Sequence, residues 1–254
     1  MVFARKRFGQ NFLENTFVIE QIIHAFHLQP QDQVIEIGPG RGALTQYLLQ
    51  TLDKLTVIEI DRDLFARLQH FPNAHKLTGI CEDVLNVDFS QFAPPLRIIG
   101  NLPYNISTPL MFHLLSFRHH IQDMMFMLQK EVVERIMAQP GDTHYGRLSV
   151  MFQSYCETEK ILDVPPECFN PAPKVDSAVI YLAPKKNAPN IAFETLETVV
   201  SQAFGMRRKT LANNFKSIFS TEDWKIIGID PSRRAQELSL IEFEKIAAYY
   251  AKLN

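Results

Sequence analysis

The chain has 254 residues, 46% hydrophobic and 21% charged, an ordinary composition for a soluble globular protein of one large or two modest domains. Basic and acidic side chains nearly balance, 26 against 28, for a formal net charge of −2, so bulk charge does not announce a nucleic-acid binder. There is no run of 18 apolar residues for a spanning helix. Cys81, Cys156 and Cys168 are odd in number and widely spaced, which argues against a disulfide framework or a zinc site and for a reducing cytoplasm.

The first residues, MVFARKRFGQNF, carry charges but no apolar core, so no secretory leader is expected; Arg5, Lys6 and Arg7 form a basic arm. Residues 34–37 (VIEI) form a β-branched strand that runs into GPGRG, and a helix is predicted over 43–50. LTVIEI (55–60) is a second strand with a helix over 62–70, and HKLTGI (75–80) is a third. LRIIG (96–100) is a fourth, followed by a helix over 108–117. DMMFML (123–128) is a fifth, followed by a helix over 129–138. Strands alternating with helices predict a parallel, doubly wound sheet.

After about residue 145 the rhythm changes. YGRLSVMFQSY reads as a helix. ETEKILDV and VDSAVIYLA alternate like strands on either side of PPECFNPAPK, a hairpin-like pair at the sheet edge. APKKNAPN (183–190) has the composition of a linker. Beyond it only helices are predicted. Phe193, Leu196, Val199, Val200, Ala203 and Phe204 recur at helical spacing, as do Leu211, Phe215, Ile218 and Phe219. Asp230 before Pro231 reads as an N-cap with proline at the first helical position, and Ser239 with Glu242 as a capping box. Residues 1–184 are therefore expected to form an α/β domain and 188–254 a small all-helical one.

Three features bear on chemistry. Gly38, Gly40 and Gly42 lie between a strand and a helix, where the backbone can turn sharply and approach a ligand. The spacing is GxGxG, not the dinucleotide GxGxxG, and no Walker lysine follows, which argues against cradling an NTP. Glu59 ends the second strand about 20 residues on, where an acid can hold ribose hydroxyls. Asp83 follows the third strand, placed to accept an adenine amino group. A ribose and an adenine without a diphosphate describe S-adenosylmethionine. The plainer alternative is that Glu36 and Glu59 are cap or surface acids and the glycines only shape a turn.

The fourth strand then runs into Asn101, Leu102, Pro103 and Tyr104. A turn needs neither that amide nor that aromatic. Open α/β sheets bind ligands at strand carboxyl ends, so this tetrapeptide falls beside the donor methyl. The exocyclic amine of adenine is a poor nucleophile because its lone pair is delocalised into the ring. The Asn101 side-chain oxygen and the Leu102 carbonyl could accept its two N–H groups and free that lone pair. Pro103 stiffens the turn and Tyr104 can stack on a base taken out of its helix. The competing reading is an asparagine turn with a core tyrosine.

Together RFGQNFL, EIGPGRGALT, VIEIDRDL, GNLPYNISTPL, MLQKEVVERI, YGRLSV, FNPAPKVDSA, RRKTLANN and RAQELS resemble the bacterial small-subunit ribosomal RNA adenine dimethyltransferases, over nearly the whole chain. The resemblance implies a Rossmann-like S-adenosylmethionine-dependent methyltransferase domain with a helical RNA-recognition domain. It implies transfer of two methyls to N6 of each of two adjacent adenosines near the 3′ end of that RNA during small-subunit biogenesis. It also implies that Asn11 and Leu13 of QNFL lie over the cofactor, joining Gly38, Gly40, Glu59, Asp83 and Asn101, and that Phe169 flanks the target base, although a proline-flanked phenylalanine is also a routine core anchor.

Arg207, Arg208, Lys209 and Lys216 in GMRRKTLANNFK, and the pair Arg233–Arg234, are short basic clusters on an acidic chain. They read either as a phosphate footprint or as solvated helix faces. The expected partner is the small-subunit precursor with its RNA, met by a cytoplasmic monomer that needs no membrane and no metal. A large-subunit RNA adenine methyltransferase, a catalytically silent assembly factor on the same fold and a DNA adenine methyltransferase are the alternatives. RRKTLANN and RAQELS favour the small-subunit family over the first; the intact Asn101–Tyr104 and Glu59 argue against the second; the last commonly carries a different amide–proline motif and lacks the helical domain.

Overall fold

The β-branched runs become the centre of a seven-stranded sheet in the computed structural model of the chain, which describes residues 10–253. The basic arm Arg5–Arg7 lies outside the described residues. In chain order the elements are β1 (Phe12–Leu13), α1 (Thr16–Ala25), β2 (Gln33–Ile37), α2 (Thr45–Thr51), β3 (Leu55–Ile58), α3 (Arg62–Leu68), β4 (Leu77–Ile80), β5 (Leu96–Asn101), α4 (Ser107–Ser116), β6 (Ile121–Gln129), α5 (Lys130–Met137), α6 (Arg147–Tyr155), β7 (Cys156–Val164), β8 (Phe169–Asn170), β9 (Ser177–Pro184), α7 (Phe193–Phe204), α8 (Leu211–Asn214), α9 (Thr221–Ile227) and α10 (Leu240–Leu253).

The sheet order is β4-β3-β2-β5-β6-β9-β7. The first five strands pair in parallel, and β9 runs antiparallel to β6. Ile35, Ile37, Ile98, Ile99, Met124 and Phe126 are all but fully buried, as expected of strands covered on both faces. From β2 the chain builds outward through β3 to β4, then returns to lay β5 on the other side of β2. That reversal opens a crevice at the carboxyl ends of β2 and β5, where such sheets bind ligands.

One polar cluster is buried in this sheet. Arg97 on β5 faces Asp123 on β6 in register. Its Nε and Nη2 donate to the two Asp123 carboxylate oxygens at 2.9 and 2.8 Å, and Nη1 donates to Asp32 at 2.7 Å. The remaining donors reach the carbonyls of Phe26 at 2.6 Å and His27 at 3.3 Å, just past the end of α1. All five guanidinium N–H groups are thus used, and Tyr181 donates to Asp123 at 3.0 Å. In the sequence Arg97 is one cation inside an apolar run, with nothing to signal its partners.

The chain divides into two compact units, Met1–Val133 with Glu159–Pro184, and Glu134–Thr158 with Lys185–Asn254. The sequence-based boundary after residue 184 coincides with the second division, but residues 134–158 group with the C-terminal helices rather than with the α/β unit. The cause is α6, which buries Leu148, Val150, Met151 and Phe152 and packs on α7 and α10. Tyr145, just before it, donates to the Leu238 carbonyl at 2.9 Å. Leu196, Val200, Ala203, Phe215, Phe243 and Ile246 complete the helical core. The capping box at Ser239 and Glu242 forms, Ser239 N–H donating to the carboxylate at 2.8 Å. Asp230 does not start a helix: its carboxylate accepts from the Ser232 N–H at 2.9 Å and hydroxyl at 2.8 Å and closes a turn, because a short Asx turn satisfies the same acceptor.

Candidate active site

The loop after β2 is shaped by Gly38, Gly40 and Gly42, all with positive φ (64°, 57° and 83°). Gly42 is the most constrained, since a Cβ there would lie 2.0 Å from the Phe71 ring. The loop is fastened to the neighbouring strand: Gly38 N–H donates to the Ile58 carbonyl at 2.9 Å, and Gly40 N–H to Glu59 Oε2 at 3.1 Å. The other Glu59 oxygen accepts from Asp61 N–H at 2.9 Å. Glu59 is only 6% exposed, and burial raises its carboxyl pKa. Asp83 caps a short 3-10 turn, accepting from Leu85 N–H at 3.0 Å.

The loop and the two acids face one cleft that opens to solvent. Asn11, Leu13, Gly38, Gly40, Glu59, Asp83 and the whole Asn101–Tyr104 turn border it. Asn101 Nδ2 donates to the Asn11 carbonyl at 3.1 Å. Leu102 N–H donates to the Met127 carbonyl at 3.1 Å, tying the turn to β6. The Tyr104 hydroxyl lies 2.7 Å from the Ser177 hydroxyl, and burial raises the phenol pKa, so it stays protonated.

Phe169 does not border the cleft. It is 5% exposed and packs in the core with Leu13, Val164 and Cys168. That burial gives Phe169 a packing role in the core. Phe169 and Asn170 pair with Leu13 and Phe12 as a two-stranded antiparallel ladder, which holds the QNFL segment at the cleft edge. Of the basic residues, Arg207, Arg208, Lys209 and Lys216 are exposed on the helical unit, and Arg207 donates to the Thr143 carbonyl. Arg233 is committed internally to Glu242 and the Glu237 carbonyl, so the pair Arg233–Arg234 does not offer two free cations.

Several cleft residues were not singled out from the sequence: Gln10, Ile60, Val84 and Ile106. Ile60, 44% exposed, and Val84 each directly follow one of the two acids. An apolar neighbour beside a ligand-binding acid is the signal that could have found them, because a flat base needs an apolar face as well as a polar edge.

Glu36 also borders the cleft. It is 2% exposed and accepts from the Thr45 hydroxyl at 2.7 Å. Burial, reinforced by the charge of Glu59 and only partly offset by Thr45, pushes its carboxyl up to about 8. A raised folded-state value means that Glu36 favours the folded state fully at low pH. That contribution is lost as pH rises from about 4.5 through about 8. Glu36→Gln cannot ionise, so its melting temperature should fall less than the wild type's over this window. Parallel melting curves at pH 5 and 8.5, without added ligand, would show instead that Glu36 is charged throughout.

A glycine loop at the switch point, an acid closing the next strand and an amide–proline–aromatic turn at the end of β5 define a Rossmann-like methyltransferase. The sequence profile of the family described as "Ribosomal RNA adenine dimethylase" matches residues 1–252. The chain is 53% identical to the Ribosomal RNA small subunit methyltransferase A of Proteus mirabilis, covering 96% of this chain and 93% of that one. It is also 53% identical to the protein of that name from Legionella pneumophila strain Lens, covering 96% and 97%. The crystal structure of a dimethyladenosine transferase from Plasmodium falciparum superposes with a TM-score of 0.83 at 28% identity, over 95% of this chain and 98% of that one. The chain belongs to the ribosomal RNA adenine dimethylase family.

Proposed function

We propose that this enzyme transfers methyl groups from S-adenosylmethionine to the N6 amines of two adjacent adenosines near the 3′ end of small-subunit ribosomal RNA, giving dimethyladenosines as the subunit is assembled. The observation that carries the reading is the Asn101 side chain. Its Nδ2 is committed to the Asn11 carbonyl, which leaves Oδ1 as an acceptor at the cleft beside Tyr104. The relatives at 53% identity are small-subunit methyltransferases by name, which supports the small subunit as the source of the RNA.

The donor set suits the cofactor. The Glu59 carboxylate already accepts the backbone N–H groups of Gly40 and Asp61 and is hydrogen-bonded by the Ile60 backbone as well, so this buried acceptor at a cleft wall is held in place to take a ribose hydroxyl. Asp83 is placed to take an adenine amine, and Ile60 and Val84 give the base apolar contact. Among the described residues Arg41 is the one basic side chain on the cleft wall, and it is paired with Glu14 at 3.1 Å, which suits a nucleoside lacking a diphosphate. When bound, S-adenosylmethionine supplies an electrophilic methyl on a positively charged sulfur. The protein's part is to prepare the amine. Asn101 Oδ1 and the Leu102 carbonyl would accept its two N–H groups and pull the nitrogen toward tetrahedral geometry, so that its lone pair is free to form the N–C bond as the bond from that carbon to sulfur breaks and its electron pair stays on sulfur. The amine proton then leaves to water. Tyr104 holds the ring plane by stacking, a contact worth about 1–3 kcal/mol. A ribosomal-subunit substrate implies a cytoplasmic enzyme. Among the described residues no helix is long and apolar enough to cross a membrane.

The direct test is methyl transfer to purified, unmodified small subunits with the labelled nucleotides mapped. No transfer to the small subunit, with label going instead to large-subunit RNA or DNA offered in parallel, would refute the assignment. Glu59→Ala should weaken S-adenosylmethionine binding by about 1.5–3 kcal/mol, the range for hydrogen bonds to a charged group, and unchanged affinity by calorimetry would remove Glu59 from the site. Arg207, Arg208 and Lys209 are proposed to touch RNA phosphates. Neutralising all three should reduce the salt slope of RNA binding by up to about 3 units, at roughly 0.7–0.9 per phosphate, with cofactor affinity unchanged. A wild-type slope would make the cluster an ordinary solvated face.

A further inference from the structure

Tyr104 sits on a turn rather than on a strand or helix, yet stacking requires its ring to hold one plane. Two serines from different elements hold the two ends of this residue. At the backbone, the Ser107 hydroxyl, in the first turn of α4, donates to the Tyr104 carbonyl at 3.1 Å. At the far end of the ring, the Tyr104 hydroxyl is bonded to Ser177 at 2.7 Å. Ser107 and Ser177 are both essentially fully buried.

Ser177 is a stiff point of attachment. It opens β9 and lies opposite Gln129 in the β6–β9 ladder, and the adjacent Lys130 N–H donates to the Asp176 carbonyl at 2.9 Å. The same strand β6 accepts the Leu102 N–H through Met127 and pairs with Asn101 through Met127. The turn and the hydroxyl anchor are therefore referenced to one strand, so displacement of the ring relative to Asn101 is resisted. Hydrophobic packing alone leaves an aromatic ring free to tilt; a hydrogen bond at its para position, 73 residues away in the chain, removes that freedom. A side chain whose tilt is set in advance does not lose that freedom when the base arrives.

We propose that Ser177 is a positioning residue for methyl transfer: through the Tyr104 hydroxyl it fixes the far end, and so the tilt, of the ring on which the target adenine stacks. The proposal rests on the stacking role given to Tyr104 above. Ser177 itself touches neither substrate nor cofactor, and the pair acts as one unit.

The test is a double-mutant cycle on the full chain, with purified unmodified small subunits as substrate. Ser177→Ala and Tyr104→Phe each break the same bond from one side. Each should lower kcat/KM for the RNA by about two- to tenfold, the worth of one net hydrogen bond. The double variant should fall no further than the weaker single, because the bond can be lost only once. Cofactor affinity by calorimetry should match the wild type in all three, which general damage to the shared cleft would not allow. Losses that multiply in the double variant, or Ser177→Ala at wild-type kcat/KM, would overturn the proposal. Should Ser177→Ala not fold, Tyr104→Phe still decides it, since a wild-type kcat/KM there means the bond positions nothing. Tyr104→Ala separates the two layers. If it is crippled while Ser177→Ala is unaffected, only the positioning role falls; if it remains fully active, the stacking role falls as well.

Discussion

Asn101→Ala should lower the single-turnover rate by about 10²–10³ at saturating S-adenosylmethionine, the scale for removing one preorganised polar contact to a developing charge. The loss belongs on the chemical step because the amide oxygen acts on the amine as its lone pair is released. Saturating cofactor separates this from any contact the side chain makes with the methyl donor. Tyr104→Ala should also lose most of its activity, whereas Tyr104→Phe keeps the ring and loses only the bond to Ser177. An Asn101→Ala enzyme that methylates at the wild-type rate would reduce Asn101–Tyr104 to a turn. A Tyr104→Phe enzyme as dead as Tyr104→Ala would make the hydroxyl essential and the stacking account wrong.

The second large effect lies far from the chemistry in kind. Arg97→Met should destabilise the protein by about 3–5 kcal/mol, the cost of removing one partner from a buried charge cluster. Asp123 would be left in the sheet without its cation, and the carbonyls after α1 would lose their donors. Arg97→Lys should recover only part of this, since an ammonium cannot reproduce the planar fork that meets Asp123 twice. Guanidinium unfolding of the three proteins measures it. A loss below about 1 kcal/mol for Arg97→Met, the scale of a surface ion pair, would mean that water reaches the cluster.

The features that carried the functional reading are local in the chain. The glycine loop and Glu59 sit directly after a strand and Asn101–Tyr104 starts on the last residue of one, and strand ends can be read from a few residues of β-branched pattern. Once these segments alternate with helices, the parallel sheet and its binding edge follow. Ser239 and Glu242 are three residues apart and are equally legible; Asp230 reads as an N-cap in the sequence but closes a turn in the structure, because a capping carboxylate and a turn carboxylate look the same without the residues that follow in space.

The sequence by itself determined the alternation of strands and helices, the kind of ligand the loop and its acids suit, and the tetrapeptide proposed for the chemistry, because these depend on residue type at short spacing. Tertiary structure alone decided which distant groups meet. It paired Phe12–Leu13 with Phe169–Asn170, and so made Phe169 a core anchor holding the cleft edge. It joined Arg97 to Asp32 and Asp123, Tyr104 to Ser177 and residues 134–158 to the C-terminal helices. It also buried Glu36 deeply enough to keep its proton near neutral pH. Burial and hydrogen-bond partners at such separations come from packing the whole chain, and local pattern carries no record of them.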